Sequence, residues 1–205
     1  MDYSDLIRYA RAHRFLPIFA GILVVSLTSA VLGGVTVSLP SLGAGSANGI
    51  PFRKELPLLS GVFLAASLGG GMSEQERVAG HRFRRTRCLA FISLSVISCG
   101  FSFVLETLAV DVPSGVVFVR SIITWLGLGV VSGQLGGARL IWALPVASVF
   151  PLVWFNSGDW DWTMRPAADV QAWIIATVPV MLGSLLLYVT RWRWSRLARG
   201  AKRHH

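Results

Sequence analysis

Apolar residues fall into six long runs along this chain, and short polar joints separate the runs. Since a bilayer core of about 30 Å takes roughly 20 apolar residues per helix, each run predicts a membrane span. The pattern therefore predicts an all-α integral membrane protein with about six transmembrane helices. The predicted spans are residues 16–39, 58–72, 88–110, 114–132, 140–155 and 170–190.

Composition agrees with this assignment. Hydrophobic residues make up 53% of the 205 residues and charged residues 14%, whereas an ordinary soluble domain carries about 25% charged residues. The first apolar run is longer than the roughly 7–15 residues of a signal-peptide core, so we expect it to stay as a mature helix.

Basic residues are distributed unevenly between the two sets of joints. Fifteen of the 19 Lys and Arg residues lie in four segments: residues 1–14, the second joint (73–87), the fourth joint (133–139) and the tail 191–205. By the positive-inside rule this predicts that both termini are cytoplasmic. The net charge of +9 then reflects topology and attraction to anionic lipids rather than nucleic-acid binding, because these arginines flank spans. The strong bias of Arg over Lys, with abundant Ala, Gly and Val, is typical of a GC-rich bacterial genome and favours a bacterial cytoplasmic membrane.

The first 14 residues predict a helix that lies in the membrane interface. Tyr3, Leu6, Ile7 and Ala10 share one helical face, and polar residues occupy the other. The alternative is a plain charged cytoplasmic leader.

The inner joint 73–87 begins with a helix-start signal. Ser73 and Glu76 have the spacing of a capping box, in which each side chain bonds the other residue's backbone amide. Gly80 favours a bend, and the basic run 81–87 then enters the third span. The joint predicts a short cytoplasmic helix followed by an elbow. Alternatively, its arginines only anchor lipid headgroups and set topology.

Two outer joints lack such a signal. Residues 40–56 are rich in Gly, Ser and Pro and predict an irregular loop. The loop 156–169 is rich in Trp, and we interpret the tryptophans near the span ends as interfacial belts. These are Trp154, Trp160, Trp162, Trp173, Trp192 and Trp194.

Small residues recur every four positions in two spans. Such rows let helix backbones approach closely, either within the chain or between subunits. They are Gly61, Ala65 and Gly69 in the second span and Gly129, Gly133 and Gly137 in the fourth.

The third span carries a polar stripe. Ser95, Ser98, Cys99, Ser102 and Glu106 fall on one helical face. An ionisable group within a span is a functional-site candidate by default. Three interpretations stay open for Glu106: an ion pair with Arg120, a substrate or proton site, and exposure at the interface.

Signals for catalysis are absent from the sequence. The four histidines have no metal-ligand spacing, and no phosphate-binding loop occurs. Asp159 and Asp161 form a D-x-D pair. Because tryptophans flank both residues in an outer loop, we do not interpret the pair as a metal site. We therefore expect no catalytic residue, no metal and no cofactor in this chain, with any ATP and Mg²⁺ bound by a partner.

In its order of elements the chain resembles the membrane subunits of ABC-2 type exporters. The stretch 56–89, LPLLSGVFLAASLGGGMSEQERVAGHRFRRTRCL, also resembles small permeases encoded beside ABC ATPases in actinobacteria. The resemblance implies that joint 73–87 is a coupling helix and that the chain pairs with an ATPase subunit and a second permease, either a copy or a relative. The docking contacts it implies are Ser73, Glu74, Glu76, Arg77, Arg82 and Arg84.

The chain is shorter than the usual permease of that class, so an accessory role stays open. The leading hypothesis is a permease subunit that exports a hydrophobic or amphipathic compound, such as an antibiotic, a peptide or a lipid-like molecule. The alternatives are an ion- or proton-coupled carrier that uses Glu106, and a membrane interaction or immunity protein without transport activity.

Overall fold

The structure is a computed structural model that describes residues 15–40, 47–68, 81–154, 162–163 and 165–201. The described part is helical apart from one hairpin and one 3-10 turn, as predicted. The helices are α1 (Phe15–Leu32), α2 (Phe52–Ala66), α3 (His81–Ala109), α4 (Val112–Gly136), α5 (Ala143–Trp154) and α6 (Val170–Ala201). The hairpin pairs β1 (Thr36–Pro40) with β2 (Ala47–Pro51), and the 3-10 turn is Ala138–Leu140.

Three helices are long and apolar enough to cross a membrane. They are α1, the Cys88–Ala109 part of α3, and α4. Shorter apolar helices cover Ala138–Leu152 and Val170–Leu186. Helix α2 has 15 residues and a charged first turn, which gives it a length of only about 22 Å. Three spans therefore follow from length and composition, whereas six spans and the direction of the chain stay predictions.

Where we predicted an irregular loop over residues 40–56, the described residues form regular structure: Pro40 ends β1, residues 47–51 form β2, and residues 52–56 begin α2. Helix α1 ends at Leu32, and Thr36 pairs with Pro51 in an antiparallel register. The backbone amides of Phe52 and Arg53 donate to the carbonyls of Val35 and Gly33. The first predicted span ran too far because an apolar run that ends in β-branched residues suits a strand as well as a helix. We call the end of the bundle that carries this hairpin the hairpin end.

Helix α4 lies at the centre of the bundle. It packs against α2, α3, α5 and α6, while α1 packs across α2 and α3. In the most apolar 18-residue segment of α4, 56% of the residues are buried, against 22% in the corresponding segments of α1 and α3. The apolar core joins four helices through Ile22, Val25, Leu56, Leu64, Leu94, Phe118 and Ile122.

The small-residue rows of α2 and α4 face each other within the chain. A Cβ on Gly61 would lie 2.5 Å from the Trp125 Cβ, and a Cβ on Gly129 would lie 2.7 Å from the Ala65 Cβ. Since these surfaces are covered within the chain, they offer little to a second subunit. Gly137 instead follows α4 with φ of 83° and has nothing within 4 Å of a Cβ built on it, so its role is to end the helix.

Gly133 completes the packed part of that row against a different neighbour. A Cβ there would lie 2.9 Å from Ile141 Cγ1, just after the 3-10 turn. Gly69 lies outside the described residues.

The basic run 81–87 belongs to the same unbroken helix as the third span, because α3 starts at His81 and ends at Ala109. Arg82 and Arg84 therefore lie in its first turn. The rest of the predicted coupling segment, with Ser73, Glu74, Glu76 and Arg77, lies outside the described residues. So do residues 1–14, Trp160, Asp159, Asp161 and residues 202–205.

Candidate functional site

A carboxylate is buried near the hairpin end of α3. Glu106 has no exposed surface, and its Oε2 lies 3.0 Å from Nε of Arg53 in the first turn of α2. The two groups form an ion pair by distance, but they are not aligned as a hydrogen bond, and neither carboxylate oxygen has a hydrogen-bond donor among the described residues. Arg53 is 26% exposed, so the pair lies where the bundle interior meets its surface.

The predicted ion pair between Glu106 and Arg120 is wrong, because Glu106 pairs with Arg53. Glu106 lies three residues before the end of α3, about 4.5 Å along the axis, while Arg120 lies eight residues into α4, about 12 Å from its start. Because α3 and α4 run in opposite directions from the same end, their side chains lie at different depths. Arg53 lies in the first turn of α2 at the depth of Glu106 and is its partner in place of Arg120.

Two serines continue the polar face of α3 away from Glu106. Ser98, Ser102 and Glu106 recur every four residues and have no exposed surface, as one helical face requires. The Oγ atoms of Ser102 and Ser26 lie 2.8 Å apart in a hydrogen bond. This bond joins α3 to α1 across the interior and sets the depth of one helix against the other.

Further hydroxyl groups line the same interior. Ser29 lies one turn beyond Ser26 on α1, and Ser60 lies between Leu56 and Leu64 on the face of α2 that enters the core. The hydroxyls of Ser29, Ser60 and Ser98 are buried and have no hydrogen-bond partner among the described residues. We call the set the polar track. It consists of Ser26, Ser29, Arg53, Ser60, Ser98, Ser102 and Glu106.

The polar track differs from an apolar core because it buries hydroxyl and carboxylate groups, several of them without a hydrogen-bond partner among the described residues. Buried polar groups in proteins are hydrogen-bonded in the great majority of cases, and an unpaired one costs about 1–3 kcal/mol. Hydroxyl groups both donate and accept, so this set can hold water, relay a proton or bind a polar group. Polar and ionisable side chains inside membrane spans typically mark ion or substrate pathways.

Sequence reasoning missed four members of the track: Ser26, Ser29, Arg53 and Ser60. Ser26 and Ser29 carried a usable signal, because polar residues one turn apart in an otherwise apolar run predict a buried polar face. Arg53 carried none, since its only visible feature was its place in a polar joint.

A second polar cluster surrounds Arg120, which is fully buried in α4. Its Nη1 donates to the Pro166 carbonyl at 2.8 Å, and its Nη2 donates to the carbonyls of Trp162 at 2.9 Å and Arg165 at 2.7 Å. The Trp162 ring packs on the buried Trp125 ring, with centroids 5.6 Å apart. Trp162 therefore packs against α4, and its place in an interfacial belt stays a prediction.

Carboxylates cap two helices at the hairpin end. Oδ1 of Asp111 accepts from the Ser114 amide at 2.8 Å at the start of α4, and Asp169 accepts from the Gln171 amide at 2.8 Å at the start of α6. Hydrogen bonds from Ser114 hold the pKa of Asp111 below its usual value. The hydrogen bond from the Arg165 side chain, followed by the backbone amides, lowers the pKa of Asp169. Both carboxylates are structural by these contacts.

Within the described ranges, no group of three or more His, Cys, Asp or Glu side chains is arranged to hold a metal ion. Comparison with family models, with curated proteins and with solved structures finds no match to this chain. The resemblance to ABC-2 exporters therefore stays a hypothesis.

Proposed function

We propose that this chain is the membrane subunit of a bacterial exporter and that an ATPase on a separate polypeptide powers it. The substrate would be a hydrophobic or amphipathic compound that crosses the cytoplasmic membrane. A second copy of the chain, or a related subunit, would complete the pathway, since six short spans would enclose little volume alone.

The continuity of α3 is the observation that supports this proposal best. Its 29 residues span about 42 Å, and the part from the basic segment at His81 to the buried Glu106 spans about 38 Å. A push on the start of this helix would move Ser98, Ser102 and Glu106 together, because nothing in the helix breaks between them. The same helix thus joins the segment expected to dock on an ATPase to the polar track.

Such a movement of α3 would act on its polar contacts with α1 and α2. Ser102 bonds Ser26 of α1, and Glu106 contacts Arg53 of α2. A net hydrogen bond contributes only about 0.5–1.5 kcal/mol, so shifting α3 against α1 breaks the Ser26–Ser102 bond at modest cost. Separating the buried Glu106 from Arg53 costs more, about 3–5 kcal/mol, unless another cation or a proton replaces Arg53. The track between α1, α2 and α3 would then open to a passing group.

Purification of the tagged chain from its native membranes in mild detergent tests the proposal. The wild-type particle should retain a nucleotide-hydrolysing subunit, measured as ATP hydrolysis per mole of chain. Arg77→Gln should lower that activity by weakening docking. Arg139→Gln is the matched control, because it removes an exposed arginine on the same predicted side but outside the joint. An intact particle without ATP hydrolysis would contradict the proposal.

Sidedness gives a second test. A single cysteine placed at Glu74, in a background without Cys88 and Cys99, should resist a membrane-impermeant maleimide added to intact cells. It should react once the membrane is opened. Labelling from outside would refute the coupling role of joint 73–87, whatever the fate of the ATPase.

The buried carboxylate favours a second candidate function, an ion- or proton-coupled carrier that uses Glu106. Proteoliposomes loaded with a pH-sensitive dye would then show proton flux that Glu106→Gln abolishes. Glu55→Gln serves as the control, because it removes a carboxylate from the first turn of α2 instead. Flux that survives Glu106→Gln excludes this function, and a chain with neither flux nor a bound ATPase supports the interaction-protein alternative.

A further inference from the structure

Arg120 is a buried cation whose described hydrogen-bond partners are all neutral carbonyl groups. Its two terminal nitrogens donate to three backbone carbonyls of residues 162–166. Its Nε is buried and has no acceptor among the described residues. A buried charge is normally paired with an opposite charge, because desolvation is costly.

The two described charged residues that act electrostatically on Arg120 are paired with each other. Asp169 and Arg165 both act electrostatically on Arg120, but Arg165 Nη1 lies 2.9 Å from Asp169 Oδ2 in an ion pair of their own. Asp169 also caps α6. The three groups together therefore leave one positive charge, and that charge is the buried one.

Two indole groups are connected to Arg120 through Trp162. Trp162 links Arg120 to Trp125, since its carbonyl accepts from Arg120 and its ring packs on Trp125. The Nε1 atoms of Trp125 and Trp162 are buried, and neither has an acceptor among the described residues. An indole N–H can donate but cannot accept, and the same holds for a guanidinium. The cluster of Arg120, Trp125 and Trp162 thus combines one positive charge with three buried N–H donors for which the described part of the chain supplies no acceptor.

We infer that this cluster binds the anionic head group of an amphipathic molecule, a carboxylate or a phosphate. An oxyanion would supply acceptors for the three donors and would neutralise Arg120 in a low-dielectric interior, where charge-assisted hydrogen bonds are strongest. The faces of the two indole rings would lie against the hydrocarbon part. This donor cluster is separate from the polar track and does not depend on an ATPase; if the exporter proposal holds, it identifies the substrate class.

The purified full chain in a neutral maltoside detergent tests this inference by its thermal unfolding midpoint. Dodecyl phosphate should raise the midpoint saturably, and inorganic phosphate and nanodiscs of phosphatidylglycerol or phosphatidylcholine identify the source of the anion. Saturation by inorganic phosphate means that the oxyanion alone is recognised. Stabilisation by phosphatidylglycerol and not by phosphatidylcholine, with the soluble probes inactive, means a lipid head group. No saturable shift with any of these probes would overturn the inference.

Three tryptophan variants separate this cluster from general charge attraction. Trp125→Phe and Trp162→Phe keep a ring and remove only the N–H, so each should weaken dodecyl phosphate binding about three- to tenfold. Trp173→Phe is the matched control, since its Nε1 already donates to the Ala167 carbonyl at 2.8 Å, and its affinity should equal that of wild type. Equal affinity in all three variants would refute the inferred site.

Charge variants complete the design. Arg120→Gln should abolish saturable binding, while Arg53→Gln, which removes an arginine from the same end of the bundle, should leave it intact. If Arg120→Gln does not fold, the two Trp→Phe variants decide the outcome. Binding that Arg53→Gln destroys and the Trp variants leave unchanged would move the site to the Glu106 pair and overturn the inference.

Discussion

Replacing Gly129 by alanine would place a methyl group 2.7 Å from the Ala65 Cβ at the contact of α2 and α4. Real Cβ atoms do not approach this closely, so the helices must separate. Overpacking of this kind typically costs about 1–3 kcal/mol. Alanine in a helix is favoured over glycine by about 1 kcal/mol, which offsets part of that cost. We therefore expect Gly129→Ala to lower the free energy of unfolding by about 0–2 kcal/mol.

The reciprocal change at Ala65 makes the test sharp. Ala65→Gly alone should destabilise, because it loses helix propensity and a buried methyl group worth about 0.8 kcal/mol. Combined with Gly129→Ala it removes the clash, and the two propensity terms cancel. The double variant should therefore lie close to wild type, which corresponds to a coupling energy of about 2–4 kcal/mol between these contacting residues.

Unfolding in mixed micelles of a mild detergent and dodecyl sulfate, followed by circular dichroism, measures these differences. Gly100→Ala is the control, since a Cβ at Gly100 meets nothing within 4 Å; it should be neutral or slightly stabilising. If Ala65→Gly fails to rescue Gly129→Ala, the packing of α2 on α4 described above is wrong. A change in oligomeric state with Gly129→Ala, unaffected by Ala65→Gly, would favour the subunit-interface alternative instead.

Three further predictions concern single contacts. Ser26→Ala or Ser102→Ala should each cost about 1–3 kcal/mol by leaving a buried hydroxyl unpaired, whereas the double variant should be milder; a double-mutant cycle in the same micelles checks this, and additive losses would contradict the bond. Hydrogen bonds from Ser114 lower the pKa of Asp111 in the folded protein, so the ionised carboxylate stabilises the fold above the unfolded pKa of about 3.9, and this stabilisation is lost as pH falls through the lower folded pKa. Asp111→Asn should therefore reduce the loss of the free energy of unfolding at acid pH, and an unchanged pH dependence would contradict this role of Asp111. Gly137→Ala should cost about 1–2 kcal/mol because φ is 83° there, and a neutral result in thermal unfolding would show that the position relaxes.

Much of the architecture could be predicted from the chain because it follows from local pattern. Apolar runs of sufficient length predict helices, and those of α1, α3 and α4 form as expected. The ends of the helices are less predictable. An apolar run with β-branched residues at its end suits either a helix or a strand, so the pattern predicts a first span through Leu39 although α1 ends at Leu32.

The contents of the candidate site could be predicted only in part. The face shared by Ser98, Ser102 and Glu106 follows from the helical repeat, and the structure buries all three. The partners come from other helices, and no spacing within α3 can show which they are. Arg53 and Ser26 entered the track because α2 and α1 happen to place them at the right depth.

The sequence by itself determined the class of the protein, the approximate places of its helices and the residues able to carry charge inside them, because hydrophobicity and helical periodicity act within a dozen residues. Tertiary structure alone decided which charged groups meet. Arg53 reached Glu106, and Arg120 turned to the carbonyls of residues 162–166, because helix ends and depths bring together residues 53 and 42–46 positions apart. Pairing of this kind depends on how rigid helices pack in three dimensions, and local sequence carries no record of it.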